Sequence, residues 1–368
     1  MLPSSLTKRI SENMVAAFLR LQQPDGSFQD PITRTRDPRP NAEIARGLLG
    51  FDLIPTAKRT YDWLLKKQNS NGSFGEITET EVIEENTLST AVIARSLLDG
   101  YDSTKEQAYL KSAKKALNYV QSQEFGGGYI KSDNNYAVLL NVTATVAAIM
   151  RRMYELTNNS DWLLSVDRAL IHVARHQLKD GAYPYATFQR AFPYEEHLNV
   201  RDLYYHSLTF FYLLLADPQN AHRRASFSNM RALHWLTRET RTITHWSNSK
   251  VIFAIGSIGF YAYSAYVFSH FKKDQLMNSC LQHLLKLQKK DGLFNRYEQP
   301  HLKDAVRGYV NELIEFEPIC PTRYSSATRL MRLRRRIAHD LKNRRNDKTS
   351  LFYAAQVFNA LSEMIVKQ

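Results

Sequence analysis

Cysteine is scarce in this chain: 368 residues contain two, Cys280 and Cys320. Two distant cysteines build neither a disulfide framework nor a cysteine-type zinc site, and they fit a reducing compartment. Fourteen glycines and twelve prolines are too few for a linker-dominated or low-complexity chain. An apolar leader is also missing, since Met1 to Arg9 runs straight into an amphipathic segment, so no export is expected. Residues 251–271 carry no Lys, Arg, Asp or Glu and are long enough to span a bilayer. That run holds three serines, three tyrosines and His270, and reads better as a helix buried on all sides in a large core. The remaining composition, 43% apolar and 23% charged, is that of a globular protein and excludes disorder, collagen and coiled coil.

A repeat organises the chain. Gln22, Gly26 and Phe28 recur as Gln68, Gly72 and Phe74, as Gln123, Gly127 and Tyr129, as Gln177, Gly181 and Tyr183, and as Gln288, Gly292 and Phe294. All five copies read Q-x-x-x-G-x-[FY]. Successive glutamines lie 46, 55, 54 and then 111 residues apart, the last being two periods with a degenerate copy near 238–246. Six units follow. Each has an amphipathic helix, the turn, a loop, and a second, more apolar helix: 10–22 and 42–49, then 57–67 and 87–98. Later second helices are expected at 141–154, 200–215, 251–271 and 350–365. In the turn, glycine takes the left-handed conformation that stops a helix, the aromatic anchors the chain, and the glutamine amide satisfies backbone left open at the terminus.

Strict alternation of six outer and six inner helices predicts an all-α fold, an (α/α)6 toroid of six hairpins spanning 1–368 as one domain, with a basic insertion at about 295–348. The repeat resembles that of the terpenoid-cyclase and protein-prenyltransferase toroids, written Q-x-x-x-G-x-W, and the related six-hairpin carbohydrate enzymes. Phe or Tyr stands where the triterpene cyclases favour Trp. The resemblance implies the fold and leaves the chemistry to the site.

Connections leading into inner helices are long (75–86, 130–140, 184–199) and those leaving them short, so the long loops gather at one rim, where a binding cleft is expected. Polar residues at that rim include Asn41, Glu43, Glu84, Glu85, Asn86, Asn141 and Glu195; Asn41, Asn86 and Asn141 read better as helix N-caps. The densest cluster is Asn199, Arg201, Asp202, Tyr205 and His206. Asn199, Asp202 and His206 share one helical stripe, with Asp202 placed to orient His206 for acid–base work or to pair with it structurally. Tyr183, Tyr185, Glu196 and Trp246 add aromatic surface and a carboxylate suited to sugars. The expected catalytic set is Asp202, Tyr205, His206 and Glu85; Asn199, Arg201, Tyr183, Tyr185, Glu196, Asn86 and Trp246 are expected to bind substrate.

Other chemistries lack their parts. The D-x-D-D-T-A acid of class II terpene cyclases has as its nearest analogue Glu84 to Ala91, without the aspartates; D-D-x-x-D is absent, as are prenyltransferase-type zinc ligands and a C-G-E-Q thioester. Gly126-Gly127-Gly128 belongs to a repeat turn and is no phosphate loop. No metal or cofactor is expected. Carbohydrate chemistry has the fewest missing parts, as a lyase, epimerase or hydrolase acting on a glycan, uronate-containing ones included, in polysaccharide biosynthesis or modification. The alternatives are a terpenoid-cyclase-like enzyme acting on an isoprenoid, with Glu84 or Glu85 as proton donor, and a non-catalytic toroid scaffold.

The net charge of +13 is local: residues 321–350 hold ten Lys or Arg against two Asp. An apolar stripe of Leu330, Leu333, Ile337 and Leu341 backs this face. At 329–345 it reads either as a docking face for an acidic membrane surface or anionic polymer, or as a solvated outer helix. Nucleic acid is disfavoured, because no aromatic residues interleave the basic ones. A cytoplasmic or membrane-peripheral protein is expected.

Overall fold

The structure, a computed structural model, describes residues 3–77, 82–132, 135–189, 201–242, 258–295 and 350–366. The basic run at 321–350 lies almost wholly outside the described residues, so its expected docking role finds no structural description. Twelve helices stand among the described residues. The odd-numbered ones are α1 (Pro3–Leu21), α3 (Ile54–Leu65), α5 (Gln107–Ser122), α7 (Asp161–Arg175), α9 (Arg223–Thr242) and α11 (Asp274–Leu287). The even-numbered ones are α2 (Pro38–Leu49), α4 (Thr87–Thr104), α6 (Leu140–Thr157), α8 (Leu203–Ala216), α10 (Gly259–His270) and α12 (Leu351–Val366). Each even helix packs on the next, and α12 returns to α2, so the six form a closed inner ring. Around it the odd helices form the outer layer, closed where α11 meets α1. This is the all-α toroid that the repeat predicts.

Helix character follows position. Every residue of α8 is buried except Tyr205 and Leu215, which are half-buried, whereas α5 and α7 bury one face and expose charge on the other. Among the described residues no helix is long and apolar enough to cross a membrane. The described part of the uncharged 251–271 run is the buried α10. Where α2 meets α12, Gly47 lies so close to the Phe358 ring that an added Cβ would stand 2.3 Å from it.

In four of the five turns the glutamine acts beyond its own turn. Nε2 of Gln22, Gln68, Gln177 and Gln288 donates to its turn glycine's carbonyl and to a backbone carbonyl of the neighbouring outer helix, at Thr56 (3.0 Å), Ser112 (3.0 Å), Ser228 (2.8 Å) and Ile10 (3.0 Å) respectively. The last of these closes the outer layer. Each turn glycine presses on the same neighbour: Gly26, at φ +89°, would put a Cβ 2.3 Å from the Arg59 carbonyl oxygen, so both its conformation and its missing side chain are required. The third turn differs. Its glycine triplet forms a hairpin between β1 (Glu124–Phe125) and β2 (Gly128–Ser132), Gln123 Nε2 donates only to Ser122 Oγ, and His172 of α7 makes the link instead, with Nδ1 3.1 Å from the Gly126 carbonyl. Strand β2 continues antiparallel through β3 (Asn135–Leu139) to β4 (Ala186–Gln189), tying together the loops that precede α6 and α8.

The aromatic of each turn is held from the inner helix. The N–H groups of Phe28, Phe74, Tyr129 and Tyr183 donate to Asn41 Oδ1 (2.5 Å), Thr90 Oγ1 (2.8 Å), Thr143 Oγ1 (3.1 Å) and His206 Nδ1 (3.0 Å). All four acceptors stand four residues after the N-cap position of their helix, at Asp37, Asn86, Leu139 and Asp202. In the last unit Ala354 occupies that place and cannot accept; the Ser350 N–H donates to the Phe294 carbonyl instead (3.2 Å).

Near the C-terminal ends of the inner helices a charge network closes the ring. Arg46 of α2 binds Asp99 of α4 (2.6 Å), Asn359 (2.5 Å) and Glu363 of α12; Arg95 also reaches Glu363; Arg152 of α6 binds Asp99 (2.6 Å) and Asp102 (2.8 Å). Burial works to raise the Asp99 pKa, but Arg46 and Arg152 outweigh it and hold the carboxyl down at about 2.

Candidate functional site

The opposite end of the ring, where the inner helices begin, carries a different set of groups. Asp37 caps α2, its Oδ1 accepting from the Arg39 N–H at 3.1 Å, and Pro38 follows at the first helical position, a strong start signal. Asn86 caps α4 by accepting from the Ser89 N–H (3.0 Å), and its amide donates to Glu76 Oε2 (2.5 Å). Lys131 Nζ stands 3.6 Å from the same oxygen. One turn into α2, the Arg39 Nε lies 3.5 Å from Glu43 Oε1, with the guanidinium 5.0 Å over the Phe352 ring of α12. Glu76 belongs to a two-residue strand, Glu76–Ile77, paired antiparallel with Val82–Ile83.

These carboxyls are buried, and burial governs them. Removal from water, and secondarily the charge of Glu76, push Asp37 up to about 8 despite N–H donation from Arg39 and Ile77. Burial pushes Glu43 up to about 7 against the pull of Arg39. For Arg39 burial acts against the charge, but Glu43 outweighs it and the guanidinium stays ionised. A carboxyl that keeps its proton at neutral pH beside a second carboxyl is a means of giving and taking protons.

The described sequence-predicted residues fall in different surroundings. Tyr205 is at the mouth: its ring lies 4.3 Å from that of Tyr185, burial raises both hydroxyl pKa values, and Tyr185 feels the charges of Asp202 and Glu76. Asn86 is there too, as cap and as donor to Glu76. His206 is not. It is fully buried with its ring against Tyr183 and Trp235, and Nδ1 holds the turn amide, so its expected acid–base role gives way to a structural one; burial drives its pKa down to about 3. Tyr183 points its hydroxyl at Ser228 and Asn229 of the outer helix α9, which removes it from substrate. Asp202 spends Oδ1 on the Tyr205 N–H as the α8 cap and does not orient the His206 ring. Arg201 is an exposed partner of Asp180 in the fourth turn (2.6 Å). Glu85 is half-buried beside the second turn, accepting from Asn71 Nδ2 (2.8 Å), away from the charged cluster. Asn199, Glu196 and Trp246 lie outside the described residues.

Sequence reasoning passed over Asp37, Arg39, Glu76 and Lys131, and named Glu43 only among the rim polar residues. Asp-Pro-Arg-Pro was a legible helix start, and Arg39 and Glu43, four apart inside an apolar inner helix, were the available sign of buried charge. Among the described residues no group of three or more His, Cys, Asp or Glu side chains is placed to hold a metal ion.

No protein-family model and no curated protein sequence matches the chain. Solved structures do. An inactive variant of the α-1,6-mannanase GH76A of Salegentibacter sp. HEL1_6, in complex with α-1,6-mannotriose, superposes with a TM-score of 0.65 at 9% identity, covering 98% of this chain and 100% of that one. An α-amylase from Clostridium perfringens gives 0.65 at 10% identity over 96% and 97%. The cellobiose 2-epimerase of Spirochaeta thermophila DSM 6192 gives 0.62 at 11% identity over 86% and 97%. At such identities the likeness establishes the fold.

Proposed function

We propose that the protein is an enzyme acting on a glycan, and that it cleaves a glycosidic bond by carboxyl acid–base chemistry at the mouth of the ring. The observation that carries this reading is Asp37, a buried carboxyl whose pKa is pushed up to about 8 beside Glu76. Asp37 supplies the proton that the leaving glycosidic oxygen needs, and Glu76, oriented by Asn86 and Lys131, acts on the sugar or on a water at the opposite face. Tyr185 and Tyr205 offer the sugar an aromatic surface. Three structurally similar enzymes act on sugars, which supports the substrate class. Among the described residues the carboxyls Asp37 and Glu76 come together at the mouth, which suits hydrolysis. The inactive mannanase variant carries two adjacent Asp-to-Asn replacements, whereas this chain contains no Asp-Asp pair, so the α-1,6-mannan linkage is not carried over. The isoprenoid alternative, which needs Glu84 or Glu85 at the centre, gains nothing from the placement of Glu85. Screening glycans for release of reducing ends tests the proposal: turnover that disappears in Asp37→Asn supports it, and turnover indifferent to that change sinks the assignment.

A further inference from the structure

Three carboxyls, Asp37, Glu43 and Glu76, are buried around the start of α2. Two cations stand with them among the described residues, and the pairing is already divided. Arg39 Nε lies 3.5 Å from Glu43 Oε1, and Lys131 Nζ lies 3.6 Å from Glu76 Oε2. Arg46, whose charge also reaches Glu43, is committed to Asp99 and Glu363. Asp37 accepts from the backbone N–H groups of Arg39 and Ile77 and has no cation in salt-bridge contact among the described residues. Three buried acids against two cations leave a place for one proton, and it settles on the carboxyl that lacks a cation.

A local irregularity aims Lys131. The register of β2 against β3 slips between the pairs Ile130–Val138 and Ser132–Asn135, so that Lys131 alone stands opposite two residues of β3. Such a bulge bends the strand and re-aims a side chain. Strand β2 also packs on the inner helices α4 and α6, which brings this cation of the third unit to a carboxyl of the second. Asn86 Nδ2 donates to the same Glu76 oxygen at 2.5 Å, so one oxygen receives a donor and a cation, both of which favour its charged form. The other titratable groups in electrostatic reach of the pair are Arg39 and Glu43 on α2 and Tyr185 and Asp202 ahead of α8. Arg39 is taken by Glu43, and the rest are acids or a phenol, so none of them replaces the ammonium of Lys131.

We infer that Lys131 is a positioning residue that places the negative charge of the pair on Glu76 and so leaves the proton on Asp37, fixing which carboxyl is the acid. The inference rests on the proposed carboxyl chemistry and adds what sets its polarity. Without the cation, Asp37 and Glu76 compete for one proton, and a molecule that carries it on Glu76 has neither the acid nor the base in place.

The test reads the carboxyls directly and through turnover, in the full chain. Carbon-13 in the Asp and Glu side-chain carboxyls, with resonances assigned by Asp37→Asn and Glu76→Gln, reports where the proton sits as pH is varied. In the wild type Asp37 should hold it at neutral pH; in Lys131→Met it should divide between Asp37 and Glu76, and Lys131→Arg should restore the wild-type division. In turnover, Lys131→Met should move the acid-side limb of the pH profile up by about 1–3 pH units and lower the rate on that side roughly tenfold or more, again with rescue by Lys131→Arg. The Lys131 side chain keeps 26% of its surface exposed, so Lys131→Met should melt within a few degrees of the wild type and both readouts report on folded protein. Identical carboxyl titrations in the wild type and Lys131→Met would overturn the inference, as would a loss of turnover that is uniform across pH or that Lys131→Arg does not rescue. The parent reading fails separately. A divided proton in Lys131→Met without turnover of any glycan keeps the role of Lys131 and discards the enzyme, whereas Asp37-dependent turnover with unmoved titrations discards Lys131 alone.

Discussion

Two aspartates at opposite ends of one ring have opposite fates. Asp99, near the C-terminal ends of the inner helices, is buried among Arg46, Arg95 and Arg152 and is held at about 2. Asp37, at the mouth, is buried beside another carboxyl and pushed up to about 8. Burial acts on both in the same direction, and neighbouring charge decides the sign. Around Asp99, Arg46 and Arg152 are matched to carboxylates, so the charges join α2, α4, α6 and α12 to one another. At the mouth Arg39 pairs with Glu43, while for Asp37 the charge of Glu76 adds to the effect of burial. Buried charge matched to its opposite holds a structure together, whereas a buried carboxyl beside another carboxyl is poised to exchange a proton.

Substitutions at the two aspartates should separate these roles. Asp37→Asn keeps the shape and the cap acceptor but cannot give up a proton; turnover should fall by about 10²–10⁴, as for other general acids, with little change in melting temperature. Asp99→Ala should do the reverse, costing about 3–5 kcal/mol in urea unfolding because it leaves Arg46 and Arg152 buried without their shared partner. If Asp99→Ala proved as stable as the wild type while losing activity, the two ends would not differ in kind.

A smaller loss is expected at His206. His206→Ala leaves the Tyr183 amide without an acceptor and opens space against Trp235, for about 2–4 kcal/mol in denaturant melts, with residual activity tracking the folded fraction. The pH dependence of stability sharpens the contrast further. Asp37 binds its proton more tightly folded (about 8) than unfolded (about 4), so its contribution is complete below pH of about 4 and is lost as pH rises toward 8. Asp99 binds its proton less tightly folded, so its contribution is present above about 4 and is lost as pH falls toward 2. Melts across pH should show Asp37→Asn flattening the alkaline side of the stability curve and Asp99→Asn the acid side.

The ring was legible because its determinants are local and repeated. Gln, Gly and an aromatic at fixed offsets stop a helix wherever they occur, and apolar periodicity sorts inner helices from outer ones. The third turn, with His172 taking over the link made by glutamine elsewhere, could not be read, because that link runs to another unit. The site was less legible for the same reason. Asp202 and His206 stand one turn apart at the start of α8, but that spacing does not say which neighbour each faces, and His206 faces Trp235. Tyr205, one position earlier, turns toward Tyr185 and the mouth. Glu76 becomes a partner of Asp37 only through the packing of neighbouring units, which sets the second unit's loop beside the first unit's helix start.

The smallest expected effect tests the boundary of the mouth. Glu85 adjoins the Asn86 cap in sequence, yet its side chain accepts from Asn71 beside the second turn, while Asn86 turns inward to Glu76. A half-exposed neutral-to-charged hydrogen bond of this kind contributes well under about 1 kcal/mol, so Glu85→Gln should melt within a degree or two of the wild type. Its turnover of whichever glycan the wild type cleaves should also be unchanged, measured side by side with Asp37→Asn. Loss of activity in Glu85→Gln would move the acid to the neighbouring helix start. Retained activity, with Asp37→Asn inactive, would confine the proton-transfer chemistry to the face on which α2 begins.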